Sequence, residues 1–518
     1  MTVLFRTDAS HEIGSGHVMR CLTLARALRD RGADCHFVSR EHPGNLIELV
    51  RKHGFRTTAL PLLADPLASK PGNPDRFDYR AWLGTDWETD TQQTTEALKF
   101  SPVDWLIVDH YSLDWEWENT MRTVASRILV IDDLADRRHD CELLLNQNLL
   151  SDANHPYRAL LPPNGVPLLG PQYALLQPEY TELQPRTPPR SGPLRRLLIY
   201  FGGADSNNLT GITLTAVLAK SRSDMTIDVV INPDGPHADS LRDRTRGNPR
   251  VLLHERIPSL AGLMVQADLA IGASGTTSWE RCCLGLPSLV ITLAENQRPI
   301  AAALSEQGAV RWLGHWDELN PEEISAAIDI AIQEPALEDW SNRCRSLVDG
   351  KGTERVTEIL LLNAKTKLQA RLACAADETL ILRLANDPLV RLNSFQQERI
   401  DEESHHRWFK NKLLDPERHR IYLIETISGL VTGLVRFDQK DEGWEINFIV
   451  APEARSKGLG IHVLSSALEP FCNSEPNHNI FGRVKHENIR SQTLFKRLGF
   501  VETQSNEYLI YRRRFRTE

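Results

Sequence analysis

Three stretches of this 518-residue chain combine glycines with basic or hydroxyl side chains at the start of a helical pattern. The first runs from Arg6 to Arg20 and contains Asp8, Gly14, Gly16 and His17. Gly14 and Gly16 let the backbone come close to a ligand. A helix opening near Gly16 aims free N–H groups and the positive end of its dipole at that ligand, so an anion such as a diphosphate suits the place. His17 falls in the first turn. The same field disfavours imidazolium, so His17 is expected to stay neutral near pH 7 and to be able to accept a proton. Asp8 is a candidate for positioning a water or the bound ligand. Arg20 joins Gly14 and Gly16 as a candidate substrate-binding residue.

The second stretch is Gly272-Ala273-Ser274-Gly275-Thr276-Thr277-Ser278-Trp279-Glu280. Thr276 and Thr277 can donate to phosphate oxygens at the helix start, and Glu280 can accept from both hydroxyls of a ribose. An N-cap followed by a first-turn Glu is the structural alternative. The third is Ala451 to Gly460, where Arg455, Lys457, Gly458 and Gly460 give an Arg-x-x-Gly-x-Gly spacing before a helix. That spacing again offers backbone N–H groups to a pyrophosphate.

Each stretch must be held by a strand before it and a helix after it. In the N-terminal part the sequence predicts strands at 3–7, 34–39, 55–59, 105–109 and 128–131, with helical patterns between them. This alternation implies a parallel sheet covered on both faces. Asp109 and His110 end one strand and Asp132 and Asp133 the next, on the side where such sheets bind ligands. For Asp132 and Asp133 an N-cap or Asx-turn is the competing reading. Residues 61–86, rich in proline, read as a surface loop. Residues 185–193 read as a linker by composition. Alternation then restarts, with strands at 197–201, 226–231, 251–253, 269–271 and 288–292. Residues 340–371 read as closing helices and a connector. Strands at 421–425, 430–437 and 444–450 and a helix at 401–411 follow, with His405 and His406 on its surface. The expected domains are 1–183, 194–350 and 375–515.

A chain of this length needs several cores. Charged residues make up 25% and the formal net charge is -9, without a long basic tract, which argues against nucleic acid as the main partner. The eight cysteines show no CxxC, a pattern that fits a reducing compartment. No signal-peptide pattern or membrane-spanning stretch is evident, so a cytoplasmic protein without membrane attachment is expected, and no metal site is expected. The oligomeric state is left open.

The Arg6–Arg20 stretch, together with Leu169-Gly170-Pro171-Gln172-Tyr173 further on, resembles the UDP-sugar hydrolases of pseudaminic acid biosynthesis, which act on UDP-2,4-diacetamido-2,4,6-trideoxy-β-L-altropyranose. The 272–280 stretch, with Leu284-Gly285-Leu286-Pro287 and Ala294-Glu295-Asn296-Gln297, resembles the UDP-binding element of two-domain sugar-nucleotide glycosyltransferases. The resemblance implies a GT-B-like pair of Rossmann-like domains facing a cleft. It implies phosphates held by Ser274, Gly275, Thr276 and Thr277, ribose by Glu280 and the sugar by Asn296.

The 451–460 stretch, with Asn488 to Val501, resembles the Gcn5-type N-acetyltransferases, which are α/β domains that use acetyl-CoA. Val450, Arg455, Lys457, Gly458, Gly460 and Asn488 would then bind the co-substrate, and Glu445 is the candidate base. Within that family the likeness is to the enzymes that acetylate UDP-4-amino-4,6-dideoxy-N-acetyl-β-L-altrosamine. Phe495 stands where the family often has a tyrosine that protonates the leaving thiolate. Phe cannot do so, which leaves Tyr508, Tyr511 or a water. Two other readings use the same residues: a GT-B glycosyltransferase, and a UDP-sugar-binding protein with a degenerate acetyltransferase domain.

Overall fold

The computed structural model describes residues 1–62, 79–99, 101–150, 156–203, 205–220, 225–333, 337–475, 478–504 and 507–515. The chain forms two compact units, Met1–Thr357 and Glu358–Glu518. No helix among the described residues is long and apolar enough to cross a membrane.

The first unit contains two parallel sheets. One consists of β1 (Thr2–Thr7), β2 (Asp34–Arg40), β3 (Arg56–Leu60), β4 (Trp105–Asp109), β5 (Ile128–Ile131), β6 (Leu143–Asn146) and β7 (Val166–Leu169), in the spatial order β3-β2-β1-β4-β5-β6-β7. Its central strands are continuous apolar runs because helices cover both faces. The other consists of β8 (Arg196–Tyr200), β9 (Thr226–Ile231), β10 (Val251–Glu255), β11 (Leu269–Ala273), β12 (Ser288–Thr292) and β13 (Val310–His315), in the order β10-β9-β8-β11-β12-β13. Both orders reverse direction once, between β1 and β4 and between β8 and β11. Doubly wound sheets bind ligands at such a switch point, beyond the carboxyl ends of the strands. The first two glycine-bearing stretches follow β1 and β11, so each sits at its sheet's switch point.

Gly272 shows how closely the second switch point is packed. A Cβ there would lie 2.2 Å from the Tyr200 carbonyl oxygen on the adjacent β8. Only glycine allows the two central strands to keep their register at this position.

The proposed linker is not a solvated tether. Arg190 is buried, and its guanidinium donates to the carbonyls of Met264, Ala267 and Leu284, while its backbone N–H donates to Ser341 Oγ at 3.0 Å. A long cation that satisfies three carbonyls fixes the crossing segment to the second sheet's helices. Residues 63–78 of the proline-rich loop lie outside the described part, and a short 3-10 turn, Tyr79–Leu83, emerges from it.

The second unit is a mixed sheet of β14 (Leu368–Leu372), β15 (His419–Thr426), β16 (Val431–Lys440), β17 (Gly443–Val450), β18 (Asn479–Val484), β19 (Val501–Gln504) and β20 (Leu509–Arg514), ordered β14-β15-β16-β17-β18-β20-β19. The expected connector at the end of 340–371 is overturned here. Leu368–Leu372 pairs antiparallel with β15, which gives its backbone groups partners that a short connector would lack. β17 and β18 are parallel but pair only at Trp444–Ile480 and Glu445–Phe481. Beyond Glu445 they splay, and the backbone of 446–450 faces an opening.

Under the first switch point lies a buried ionic cluster. Arg6 Nη2 lies 2.6 Å from Asp90 Oδ2, Arg40 Nη2 lies 2.7 Å from the same oxygen, and Trp117 Nε1 donates to Asp90 Oδ1 at 3.1 Å. Arg6, Arg40 and Asp90 are all 0% exposed, so each depends on the others for its lost hydration. Asp90→Ala leaves two guanidiniums without their shared partner. It is expected to destabilise the first unit by about 3–5 kcal/mol, read as a lower urea midpoint followed by tryptophan fluorescence.

Candidate functional site

The helix Gly16–Asp30 starts directly after the loop that leaves β1. Its first backbone bond runs from the Met19 N–H to the Ser15 carbonyl, so the N–H groups of Gly16, His17 and Val18 have no partner within the helix. Gly14 takes a positive φ of 79°, which turns the loop back on itself. A Cβ on Gly16 would lie 3.7 Å from Thr276 Oγ1. The loops at the two switch points therefore face each other across a few ångströms.

His17 is buried beside the end of β4. Its Nδ1 lies 2.6 Å from Asp109 Oδ1. Asp109 also accepts from Arg20 Nε at 2.6 Å and from Arg20 Nη2 at 2.7 Å. Arg20 reaches on through Nη1 to Asp133 Oδ2 at 2.8 Å, and Asp133 also accepts from the Tyr111 hydroxyl at 2.7 Å. Burial by itself would raise the Asp109 carboxyl, but Arg20 and then His17 hold it below its ordinary value. Asp109 is therefore a carboxylate, and Nδ1 of His17 carries the proton it donates. In the neutral ring Nε2 is then the lone-pair nitrogen, and it has no protein partner among the described residues. The arrangement can take a proton from a water and hold the resulting imidazolium beside a fixed negative charge.

Asp8 occupies a different position from the one expected for it. It is 0% exposed, bonded through Oδ1 to Arg6 Nη1 and to the Arg40 backbone N–H, both at 2.7 Å, with His110 Nε2 3.2 Å from Oδ2. It lies behind the site and cannot itself touch a ligand. His110 Nδ1 accepts from the Ser112 N–H, so Nε2 carries the hydrogen; it lies close to Asp8 Oδ2 without closing a hydrogen bond to it. The adjacent acids divide: Asp133 points at Arg20, whereas Asp132 closes a turn on the Ala135 N–H at 2.8 Å and pairs with Arg137 and Tyr157.

Aromatic residues enclose His17. The Tyr111 ring meets it edge-on at 4.6 Å, Trp82 stacks on Tyr111 at 5.7 Å, and Tyr79 packs against both. Sequence reasoning missed Tyr79, Trp82 and Tyr111 as site residues. The alternation of strand and helix carries no signal for the short 3-10 turn Tyr79–Leu83.

On the second switch point the helix Thr277–Cys283 follows Thr276. Thr276 and Thr277 are partly exposed and Ser274 is buried with its hydroxyl unpartnered. Glu280 Oε2 is enclosed and has no partner, and burial pushes its carboxyl up to about 7. An acceptor placed this way suits a hydroxyl donor from a ligand. Asn296 sits in the 3-10 turn Glu295–Gln297, partly exposed.

In the second unit a cavity of about 1130 Å³ opens where β17 and β18 splay. Val450, Arg455, Gly458, Gly460 and Asn488 line it. The unpaired edge of 446–450 and the start of the helix Gly460–Ser474 give it backbone donors suited to an acyl-carrying pantetheine and its diphosphate. Two candidates fall elsewhere. Lys457 donates to the Ile359 carbonyl and is not in the wall. Glu445 is buried, held by Arg483 Nε at 2.6 Å, and also outside the wall. Phe495 is buried against Tyr511, whose hydroxyl is given to Glu502 at 2.8 Å. Tyr508 lies beside Phe395 and Arg483, which do line the cavity. His406 is exposed and paired with Glu378, as expected of a helix surface, but His405 is buried.

Comparison with known proteins agrees with this division. Residues 367–501 match the acetyltransferase (GNAT) domain family. The UDP-2,4-diacetamido-2,4,6-trideoxy-beta-L-altropyranose hydrolase of Campylobacter jejuni is 24% identical over 60% of this chain and 97% of its own. The spore coat polysaccharide biosynthesis protein SpsG of Bacillus subtilis is 34% identical over 37% of this chain and 57% of its own length. The protein MJ1062 of Methanocaldococcus jannaschii is 23% identical over 98% of this chain and 99% of its own, so the two units also occur together there. The N-terminal part is thus homologous to a UDP-sugar hydrolase and to SpsG, and the C-terminal part carries a GNAT domain.

The Asp109 contact fixes the His17 tautomer, and this can be read directly. A long-range proton–nitrogen spectrum of the His17 ring is expected to place the hydrogen on Nδ1. In Asp109→Asn, where Arg20 holds the amide oxygen and the amide nitrogen faces the ring, the hydrogen is expected to move to Nε2.

Proposed function

We propose that the first unit hydrolyses a UDP-linked diacetamido sugar, UDP-2,4-diacetamido-2,4,6-trideoxy-β-L-altropyranose, to UDP and the free sugar. The second unit, in the same reading, is an acetyl-CoA-dependent N-acetyltransferase that acts on the 4-amino precursor of that substrate. The two would be successive steps toward pseudaminic acid in the cytoplasm. The single observation that carries the hydrolase reading is the His17–Asp109 pair at the first switch point, opposite the Ser274–Thr277 turn.

UDP is a good leaving group, so the site needs no acid for it. The need is a positive field for the diphosphate while C1 gains oxocarbenium character. The free N–H groups at Gly16–Val18 and the Thr276 and Thr277 hydroxyls face the same space and can supply it. Glu280 holds the ribose hydroxyls, and Asn296 faces the sugar. Nε2 of His17 takes the proton of a water, and Asp109 stabilises the imidazolium that forms. Attack from the face opposite UDP inverts C1. Asp8 acts as a positioning residue, through Arg6 and His110. Tyr111 and Trp82 shield the reacting carbon from bulk water.

The purified protein is expected to release free sugar and UDP from the diacetamido UDP-sugar with no acceptor added, as read by NMR. His17→Ala is expected to lower turnover about a hundred- to ten-thousandfold with folding intact. An intact substrate that is consumed only when a sugar acceptor is supplied would favour glycosyl transfer instead. Undiminished turnover in His17→Ala would remove its assignment.

Glu280 gives a pH prediction. Burial puts its carboxyl near 7, so the folded protein pays more to ionise it as pH rises from about 4.5 through about 7. Ribose hydroxyls donate to the ionised form and offset that cost. Affinity for a UDP-sugar is therefore expected to weaken as pH falls below about 7, with proton release on binding in calorimetry near that pH. Glu280→Gln should abolish both. A UDP-sugar serves better than UDP, whose terminal phosphate titrates in the same range.

A further inference from the structure

An acetyl group moves to an amine only after the amine has lost a proton. Amines arrive as ammonium ions near pH 7, so the acceptor wall needs a base. Glu445 is poorly placed for this, since Arg483 holds it and it lies outside the cavity wall. Among the described residues no Asp, Glu, Cys or Tyr lines the cavity. The charged groups that do are cationic, among them Arg436, Arg483 and Lys485. One uncharged nitrogen base remains in the wall, His405.

His405 lies in the first turns of the helix Glu402–Leu414 and is 2% exposed. Its ring lies 5.4 Å from Trp408 and 5.8 Å from Phe409, nearly parallel to the latter. Both ring nitrogens are buried and neither has a hydrogen-bond partner. An imidazole with two buried, unpartnered nitrogens is costly to fold unless something absent from the protein alone completes it. Burial lowers its pKa from the ordinary value, with Glu378 opposing and His406 adding to the effect, so the ring is a neutral base at physiological pH.

We infer that His405 is the general base of the acetyl transfer, accepting the proton of the acceptor ammonium in the cavity of the second unit. This rests on the N-acetyltransferase reading of that unit and not on the hydrolase reading of the first. The ammonium gives one proton to His405, and the amine lone pair then attacks the thioester carbon. The C–N bond forms and the C–S bond breaks. The second proton of the nitrogen goes to the departing sulfur, giving CoA as the thiol, and His405 returns its proton to solvent. The cationic walls favour the neutral amine over the ammonium in the same cavity, which helps the transfer.

The test uses the full-length protein with acetyl-CoA and a panel of primary amines: UDP-4-amino-4,6-dideoxy-N-acetyl-β-L-altrosamine, glucosamine and spermidine. CoA release is followed with a thiol reagent. With the best acceptor, His405→Gln is expected to lower kcat about a hundredfold or more while KM for acetyl-CoA stays unchanged. Added imidazole should restore part of the rate in His405→Ala, which a merely structural role would not allow. Thermal unfolding and CoA binding of both variants check the fold. If His405→Gln keeps kcat within about threefold, the assignment is overturned. If the wild type acetylates glucosamine or spermidine but not the nucleotide sugar, the nucleotide-sugar reading fails and His405 is judged on the amine that reacts. If it acetylates none, both fail.

Discussion

The site in the first unit depends on one buried carboxylate. Asp109 ends β4 directly beside Thr7, the last residue of β1, at the point where the strand order reverses. A negative charge in that place has no water to stabilise it. It is tolerated because Arg20 approaches it side-on with two N–H groups and His17 adds a third. Arg20 and His17 are three residues apart on one helix and so lie on the same face. The cost of burying Asp109 thus sets the rotation of the Gly16–Asp30 helix and the tautomer of its first-turn histidine together. Arg20 then passes the constraint to Asp133 and Tyr111, which places an aromatic ring against the imidazole.

The second constraint is geometric. Both sheets of the first unit bring a glycine-bearing loop to their switch points, and the Gly16–Thr276 approach shows that these loops face one another. The proposed reading places a nucleotide sugar between these loops, with His17 on one side and the unpartnered carboxyl oxygen of Glu280 on the other. In the second unit the corresponding device is the early parting of β17 and β18. An unpaired sheet edge inside a domain is costly unless a ligand completes it, and the cavity of the second unit lies at that edge.

Much of this was legible in the sequence because parallel, fully covered strands are written as unbroken apolar runs. The strands at 105–109, 128–131, 226–231 and 288–292 coincide with the expected ones. In the first unit β6, β7 and β13 were not foreseen: β7 and β13 are partly exposed edge strands with weaker patterns, and β6 is a buried apolar run of only four residues, too short to stand out by periodicity. Leu368–Leu372 has a helix-compatible composition and becomes a strand only through pairing with β15, a long-range contact that local spacing does not encode. Composition likewise suggested a linker at 185–193, but Arg190 finds three carbonyls and docks the segment. At the sites, His17, Gly14, Gly16 and Glu280 were readable as motif residues. Asp8 was assigned too near the ligand, because a motif gives order along the chain and not depth below a surface. His405 was misjudged for the same reason: consecutive residues on a helix point about 100° apart, and only packing decides which of the two histidines is buried.

The central claim is that His17 directs water at the anomeric carbon. The most direct measurement is hydrolysis of the diacetamido UDP-sugar in water labelled with heavy oxygen, with the products examined by mass spectrometry before the sugar's anomeric oxygen exchanges. The account expects the label in the sugar and none in UDP, with the inverted anomer appearing first in a parallel NMR time course. Label in the terminal phosphate of UDP would mean attack at phosphorus, and would contradict it.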